Sequence, residues 1–345
     1  MRSPSAFVLC RLVVALTAVT VAPASLSAQA PLPRPDQPGP WDQDIVVYRV
    51  PPAAAGGAPE RLATFPRGGV ATAARLADGR LAVAHQHFPE NNRADFDKVA
   101  IRFSADEGRT WTPLVVLTVR GLPEGMRFPF DPTLVPLPDG RVRLYFTSRR
   151  LRDPADLPAI YSALSAPDDA TVYTFEPGPR FAVPGRGVID CAVAVHRGVV
   201  HLFAPDNGAG HPFDPGRETR PASDRARPGH GYHAVSDDGL VFARRPDVSV
   251  PGRRNWLGDV KSDGVALTFT GTGEGGLWRA TSPDGAVWTL QPPLARVPVA
   301  DPGTVTLNDG SLLVAGTGQP RPGTPSALRP KSGPRPPPDR PAPKN

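Results

Sequence analysis

The sequence predicts an all-β chain folded as a five-bladed β-propeller whose N- and C-terminal strands share the closing blade. Three observations carry that expectation. Turn formers are abundant, with 46 Pro and 34 Gly among 345 residues. Few stretches keep a helical period, so many short strands are expected rather than helices. One pattern also recurs along the chain: an apolar strand, an Asp-Gly-like turn and a second apolar strand. Its turns are Asp78-Gly79, Asp139-Gly140, Arg197-Gly198, Asp263-Gly264 and Asp309-Gly310, spaced by 61, 58, 66 and 46 residues. Asp-Gly between two apolar runs is a strong hairpin signal.

From the N-terminus, residues 1–30 read as a secretory signal peptide. Arg2 and Arg11 make a basic start, Leu12 to Ala22 is apolar, and small residues follow from Ala24 to Ala30. The apolar run is too short for a stop-transfer helix, so a secreted or periplasmic protein without a transmembrane anchor is expected. Residues 31–43 form a Pro-rich lead-in and 44–316 the propeller. Residues 317–345 form a Pro/Arg/Lys-rich tail with little to bury, expected to be disordered.

Inside the propeller, the five first hairpins pair Val70–Leu76 with Arg80–Ala84, Asp131–Leu137 with Arg141–Thr147, Asp190–Val195 with Val199–Phe203, Asp259–Lys261 with Val265–Thr270, and Thr304–Leu307 with Ser311–Ala315. After four of them a second hairpin turns at Ser104–Trp111, Ser165–Asp169, Ser236–Gly239 and Ser282–Trp288. Two consecutive hairpins make four antiparallel strands, one propeller blade. The fifth hairpin is followed only by the tail, while Asp44–Val50 and Arg61–Phe65 stand unpartnered ahead of the first. Joining them completes a fifth blade and removes open strand edges. A six-bladed ring is the runner-up.

The formal charge of +6 is not a property of the folded part. Arg2 and Arg11 leave with the leader and the tail carries a net +5, so the rest is near −1. That balance gives no electrostatic footprint for nucleic acid. Once Cys10 has left with the leader, Cys191 is alone, which rules out an intrachain disulfide. Its apolar strand Ile189–Val193 makes it a buried, inert thiol. A monomer is expected.

The turn Ser104-Ala105-Asp106-Glu107-Gly108-Arg109-Thr110-Trp111 resembles the Asp-box of the sialidase and BNR-repeat families. Ser282 to Trp288 is a close second copy, Ser236 to Phe242 a looser one, and Ser165 to Phe175 a degenerate one. The resemblance implies a fold marker at the blade periphery. Turn chemistry agrees: the Asp accepts turn N–H groups, the Gly allows φ > 0, and the Trp packs between sheets.

A second resemblance concerns the centre. Phe130-Asp131-Pro132-Thr133-Leu134-Val135, with Asp139-Gly140 and Leu144-Tyr145-Phe146-Thr147, is similar to the inner hairpin of five-bladed glycoside hydrolases of the family 43 type. Ala300-Asp301-Pro302 with Asp309-Gly310 and Ile189-Asp190 with Gly198 repeat the idea. The resemblance implies a glycoside hydrolase acting on a plant, algal or host-derived glycan. It makes Asp131 the general base and Asp190 the carboxylate that tunes pKa. The next blade should then supply a Glu acid, but it begins Trp256-Leu257-Gly258-Asp259, with Asn255 at the matching offset. Asp259, Asp301, Glu124 and Glu274 are the candidates for that acid.

The spacing supports an axial site independently. Asp131, Asp190 and Asp301 precede their turn glycines by nine, eight and nine residues. They should lie at one level on three blades, where converging carboxylates suit glycoside hydrolysis. Around them, Arg67, Arg127, Arg254, His85 and His87 are the expected substrate contacts. His85 and His87 are assigned to opposite faces of their strand, which leaves one for the site and argues against a metal pair. A long loop from Asp206 to His230 carries His211, Asp214 and Glu218, whereas His196 and His201 read as surface positions. No cofactor is required, and a structural Ca²⁺ at the axial aspartates is the one ion the pattern admits. Two other readings stand beside the hydrolase: a non-catalytic propeller that binds glycan or protein, and an exo-sialidase. The latter would use Arg67, Arg127, Arg186 and Arg254 on a carboxylate, yet no Tyr sits at a late inner strand.

Overall fold

The computed structural model describes residues 40–52, 56–151, 153, 155–210, 221–273, 276–294 and 297–318. The proposed leader, residues 31–39 of the Pro-rich lead-in and the tail from 319 onward lie outside the described residues.

The described chain opens with β1 (Ile45–Val50) and β2 (Glu60–Phe65). Blade 1 follows as β3 (Gly68–Arg75), β4 (Leu81–His87), β5 (Lys98–Ser104) and β6 (Val115–Val116). Next come β7 (Thr118–Arg120) and blade 2, with β8 (Phe130–Pro136), β9 (Val142–Ser148), β10 (Ala159–Ala166) and β11 (Asp169–Phe181). Blade 3 contains β12 (Ala192–His196), β13 (Val199–Pro205) and β14 (His230–Ser236), edged by the short β15 (Ala243–Arg244) and β16 (Val248–Ser249). Blade 4 is β17 (Arg254–Ser262), β18 (Leu267–Gly273), β19 (Gly276–Ser282) and β20 (Thr289–Leu290). Finally, β21 (Ala300–Thr306) and β22 (Leu312–Thr317) join β1 and β2 in the fifth sheet.

The ring is therefore five-bladed and closed as the unpartnered strands predicted. β1 runs antiparallel to β22, with Ile45 opposite Thr317 and Val50 opposite Leu312. The first strand of each blade faces the axis: β3 packs on β8 and β21, and β12 and β17 complete the circle. One strand was not foreseen. The link between blades 1 and 2 forms β7, which pairs in parallel with Val172–Thr174 of the unusually long β11. It covers an edge that would otherwise expose unpaired amides.

The Asp-Gly turns follow from local chemistry. In blades 1, 2 and 5 the glycine is fourth of five loop residues, for instance Leu76 to Arg80, and Gly79 sits at φ 87°. The Leu76 and Gly79 amides donate within that loop, to Arg80 and Leu76 carbonyls. Blades 3 and 4 use shorter loops, Arg197-Gly198 and Asp263 to Ala266. That difference matters for the site.

Each pair of neighbouring blades encloses its own apolar core. The core between blades 3 and 4 is aromatic, with Phe203, Trp256, Phe269, Trp278 and Trp288 stacked edge to face. Buried there too are His196 and His201, only 3% and 6% exposed. This corrects their assignment to the surface. His196 links the two blades through Ser262 Oγ at 2.8 Å and the Pro283 carbonyl at 3.0 Å.

Candidate functional site

Four of the five blades reach the axis through the same backbone bend. Val70, Asp131, Asp190 and Asp301 take left-handed φ values of 50°, 49°, 57° and 49°. Pairing slips at Val70, at Asp131-Pro132 and at Asp301-Pro302, so the bends in β3, β8 and β21 are bulges. A bulge re-aims a side chain, here from the strand edge toward the axis. Threonines of the preceding blade hold these bends. The amides of Val70, Asp190 and Asp301 donate to Oγ1 of Thr317, Thr147 and Thr272 at 2.9, 3.2 and 2.9 Å. Sequence reasoning missed these threonines. Their signal is a Thr seven or eight residues after the turn glycine in three blades.

Asp131, Asp190 and Asp301 accordingly converge, together with Val70, Leu257 and Asp259, on one axial cavity of about 20 Å³. That is room for about one water molecule. The Asp131 and Asp190 carboxyls hydrogen-bond to each other. Burial raises the pKa of both; the charges of Asp131 and Asp301 raise that of Asp190 further, and the Asp97 charge that of Asp131. Against this, the Arg127 guanidinium and the Thr147 hydroxyl favour the ionised form of Asp131. Asp131, raised to about 7, therefore ionises more readily than Asp190, which holds its proton more firmly. Burial pushes the Asp301 carboxyl up to about 6, and its charge is felt at Asp190.

Asp259 behaves differently. Its Oδ2 accepts the Thr304 amide at 2.7 Å and the Thr304 hydroxyl at 2.6 Å, and its Oδ1 pairs with Lys261 at 3.0 Å. It is a tie between blades 4 and 5, which corrects its candidacy as an acid. The offset that placed Asn255 at the axis also needs correction. Because the blade 4 turn holds its glycine second rather than fourth, counting back from Gly264 slips by two residues. Leu257 is the true counterpart of Asp131, and Asn255 is exposed. The backbone turns inward at Gly258, where a Cβ would lie 2.1 Å from the Thr270 carbonyl oxygen.

None of the five expected substrate contacts lines this cavity. His85 is fully buried, with Nδ1 on the Gln86 carbonyl at 2.8 Å, so it is withdrawn from any substrate. His85 and His87 share one face, their rings 6.4 Å apart, because residues two apart on a strand point the same way. Arg127 lies 3.7 Å above the Phe130 ring and pairs with Asp97, which the Gln86 amide also holds. Asp97, itself left-handed at φ 67°, was not foreseen. Arg67 pairs with Glu90 and donates to the Trp41 carbonyl, and Arg254 folds back on the Pro251 carbonyl. Glu124 is exposed on a loop, while Glu274 lies outside the described residues.

The long loop is anchored at both ends by Asp206, buried and held by Arg186, Arg227 and the Tyr232 hydroxyl. His211, Asp214 and Glu218 fall outside the described residues. Burial pushes the Cys191 thiol up to about 12, so it is no nucleophile at neutral pH. Among the described residues, no group of three or more His, Cys, Asp or Glu is arranged to hold a metal ion.

No protein-family model matches the sequence, and no curated protein is similar to it. Solved structures do match. A Penicillium chrysogenum alpha-L-arabinanase complexed with arabinobiose aligns over 81% of this chain and 86% of its own, at 12% identity and a TM-score of 0.51. A GH43_1 enzyme from Xanthomonas citri complexed with xylotriose aligns over 72% and 86%, at 18% identity and a TM-score of 0.52. The fold is that of a glycoside-hydrolase-like propeller. A Hadza microbial sialidase also matches, with a TM-score of 0.43 over 67% of this chain and 47% of its own. That is too remote to argue from.

Proposed function

We propose that this protein hydrolyses glycosidic bonds at the axial cavity, with Asp131 as the base that activates water and Asp301 as the acid. One observation carries this reading: three carboxylates with elevated pKa, Asp131 buried and Asp190 and Asp301 part-buried, surround a space for one water. Asp131 and Asp190 are in hydrogen-bond contact, far closer than the roughly 5–9.5 Å that separates the two working carboxyls of a glycosidase. They therefore act as one unit. Asp190 keeps the proton, and the charge on Asp131 draws a proton from water. Of the two other carboxylates at the cavity, Asp259 is spent on Thr304 and Lys261. Asp301 is left, flanked around the ring by Val70 and Leu257 rather than by a cation. With Asp301 at about 6 and Asp131 at about 7, the productive state, Asp131 ionised and Asp301 protonated, is a minority form between those values, and in it Asp301 can give its proton to the leaving oxygen.

The matched structures hold pentose oligosaccharides, which makes arabinosides and xylosides the first substrates to try. The narrowness of the cavity favours a second reading, a propeller that binds glycan without cleaving it. A panel of aryl glycosides and unactivated oligosaccharides separates the two. Asp131→Asn should lose activity on both substrate types. Asp301→Asn should lose far more on the oligosaccharides, because a good aryl leaving group needs little protonation. Equal rates for wild type and Asp131→Asn would sink the hydrolase reading. Glycan binding without turnover by either protein would establish the second.

A further inference from the structure

A second cavity lies away from the axis, between blades 1 and 2. It has a volume of about 250 Å³ and is walled by Leu117, Val119, Leu122, Phe128 and Leu144, with Lys98 among its lining residues. We propose that it is a binding site for a small aromatic carboxylate, one ring bearing a short acid arm.

Size, lining and charge each narrow the ligand. A dry apolar cavity of about 150 Å³ takes benzene, so the remaining 100 Å³ or so leaves room for a ring and an arm of three or four atoms. The aliphatic walls and the Phe128 ring suit a flat apolar body. Lys98 supplies the one cationic group. Its side chain is about a third exposed, and its ammonium lies 3.4 Å from Asp95, longer than a close charge-assisted contact. It can turn to an entering carboxylate at little cost. Arg127, next in sequence to the Phe128 wall, is already held by Asp97, so Lys98 is the group that selects the anion.

The site stands independently of glycoside cleavage, but it is mechanically joined to the axis. Lys98 follows Asp97, and Phe128-Pro129 runs directly into Phe130-Asp131. Filling the cavity packs both segments that position Arg127 beside Asp131.

The test uses the full chain and cinnamate as the probe, with cinnamyl alcohol as its neutral counterpart, by calorimetric titration. Cinnamate should bind with a Kd of about 0.1–1 mM. Leu122→Trp, on an exposed-edge loop, fills the cavity and should weaken cinnamate at least about tenfold. Lys98→Ala should weaken cinnamate about fivefold and leave cinnamyl alcohol unchanged. Asp131→Asn should bind cinnamate like wild type, which separates this site from the axial one. No binding to wild type, or equal affinity for wild type and Leu122→Trp, would overturn the proposal. Equal weakening of acid and alcohol by Lys98→Ala would overturn the carboxylate part of it.

Discussion

The two ends of the inner hairpins use the same residue in opposite ways. At the axial end Asp131 is buried, Asp190 and Asp301 are part-buried, and the pKa values of all three are raised. At the turn end Asp78, Asp139, Asp263 and Asp309 are exposed and their pKa values are lowered by turn amides and neighbouring arginines. The peripheral turns extend the contrast: Asp106 and Asp238 are drawn down to about 2 by N–H and O–H donors. An aspartate given donors builds a turn. An aspartate withdrawn from water costs stability and is available for proton transfer.

The sharpest way to break this comparison is to neutralise the axis. Asp131→Asn should lower kcat on oligosaccharides by about 10²–10⁴-fold, while its thermal midpoint stays the same or rises because a buried charge has gone. A fall in the midpoint would make Asp131 structural. The second test is pH. Asp301 has a folded pKa above its unfolded value, so its stabilising contribution is full below about pH 4 and is lost as pH rises through about 6. Asp301→Asn should therefore exceed wild type at pH 8 by up to about 3 kcal/mol, measured by urea unfolding.

Smaller effects belong to the other end. Ser282 is buried, and its hydroxyl accepts the Gly285 amide at 2.8 Å while bonding Asp284. Ser282→Ala should cost about 1 kcal/mol with kcat unchanged. Acid unfolding refines the contrast further. The turn aspartates support the fold above about pH 4 and lose that support as pH falls toward 2. His201 and His233, 3.1 Å apart in the core between blades 3 and 4, are held down to about 4 by burial. Their contribution is present above about 6.5 and lost as pH falls through 4. His233→Gln should reduce the slope of the pH 4–6.5 part of the stability curve, to which His85 and His201 also contribute, and leave the pH 2–4 part in place.

Much of the fold was legible because its signals are local. A turn needs Asp and Gly within a few residues, so five hairpins could be counted and the spare strands at Asp44–Val50 and Arg61–Phe65 assigned to the fifth blade. The three axial aspartates were legible because they keep step with those glycines. Where the step changed, reading by offset failed: the shorter turn at Asp263 put Leu257 rather than Asn255 at the axis. The histidines were misplaced for a related reason, since burial of His85, His196 and His201 depends on which neighbouring blade covers them.

The sequence by itself determined the number of blades, the closure of the ring and the level of Asp131, Asp190 and Asp301. Each rests on short-range turn chemistry repeated along the chain. Only the tertiary structure decided that Asp131 and Asp190 titrate as a pair, that Arg127 favours the ionised form of Asp131, that Asp259 is tied to Thr304, and that the Asp301 charge reaches Asp190. Those outcomes depend on distance and desolvation between residues of different blades, which spacing along one strand does not encode.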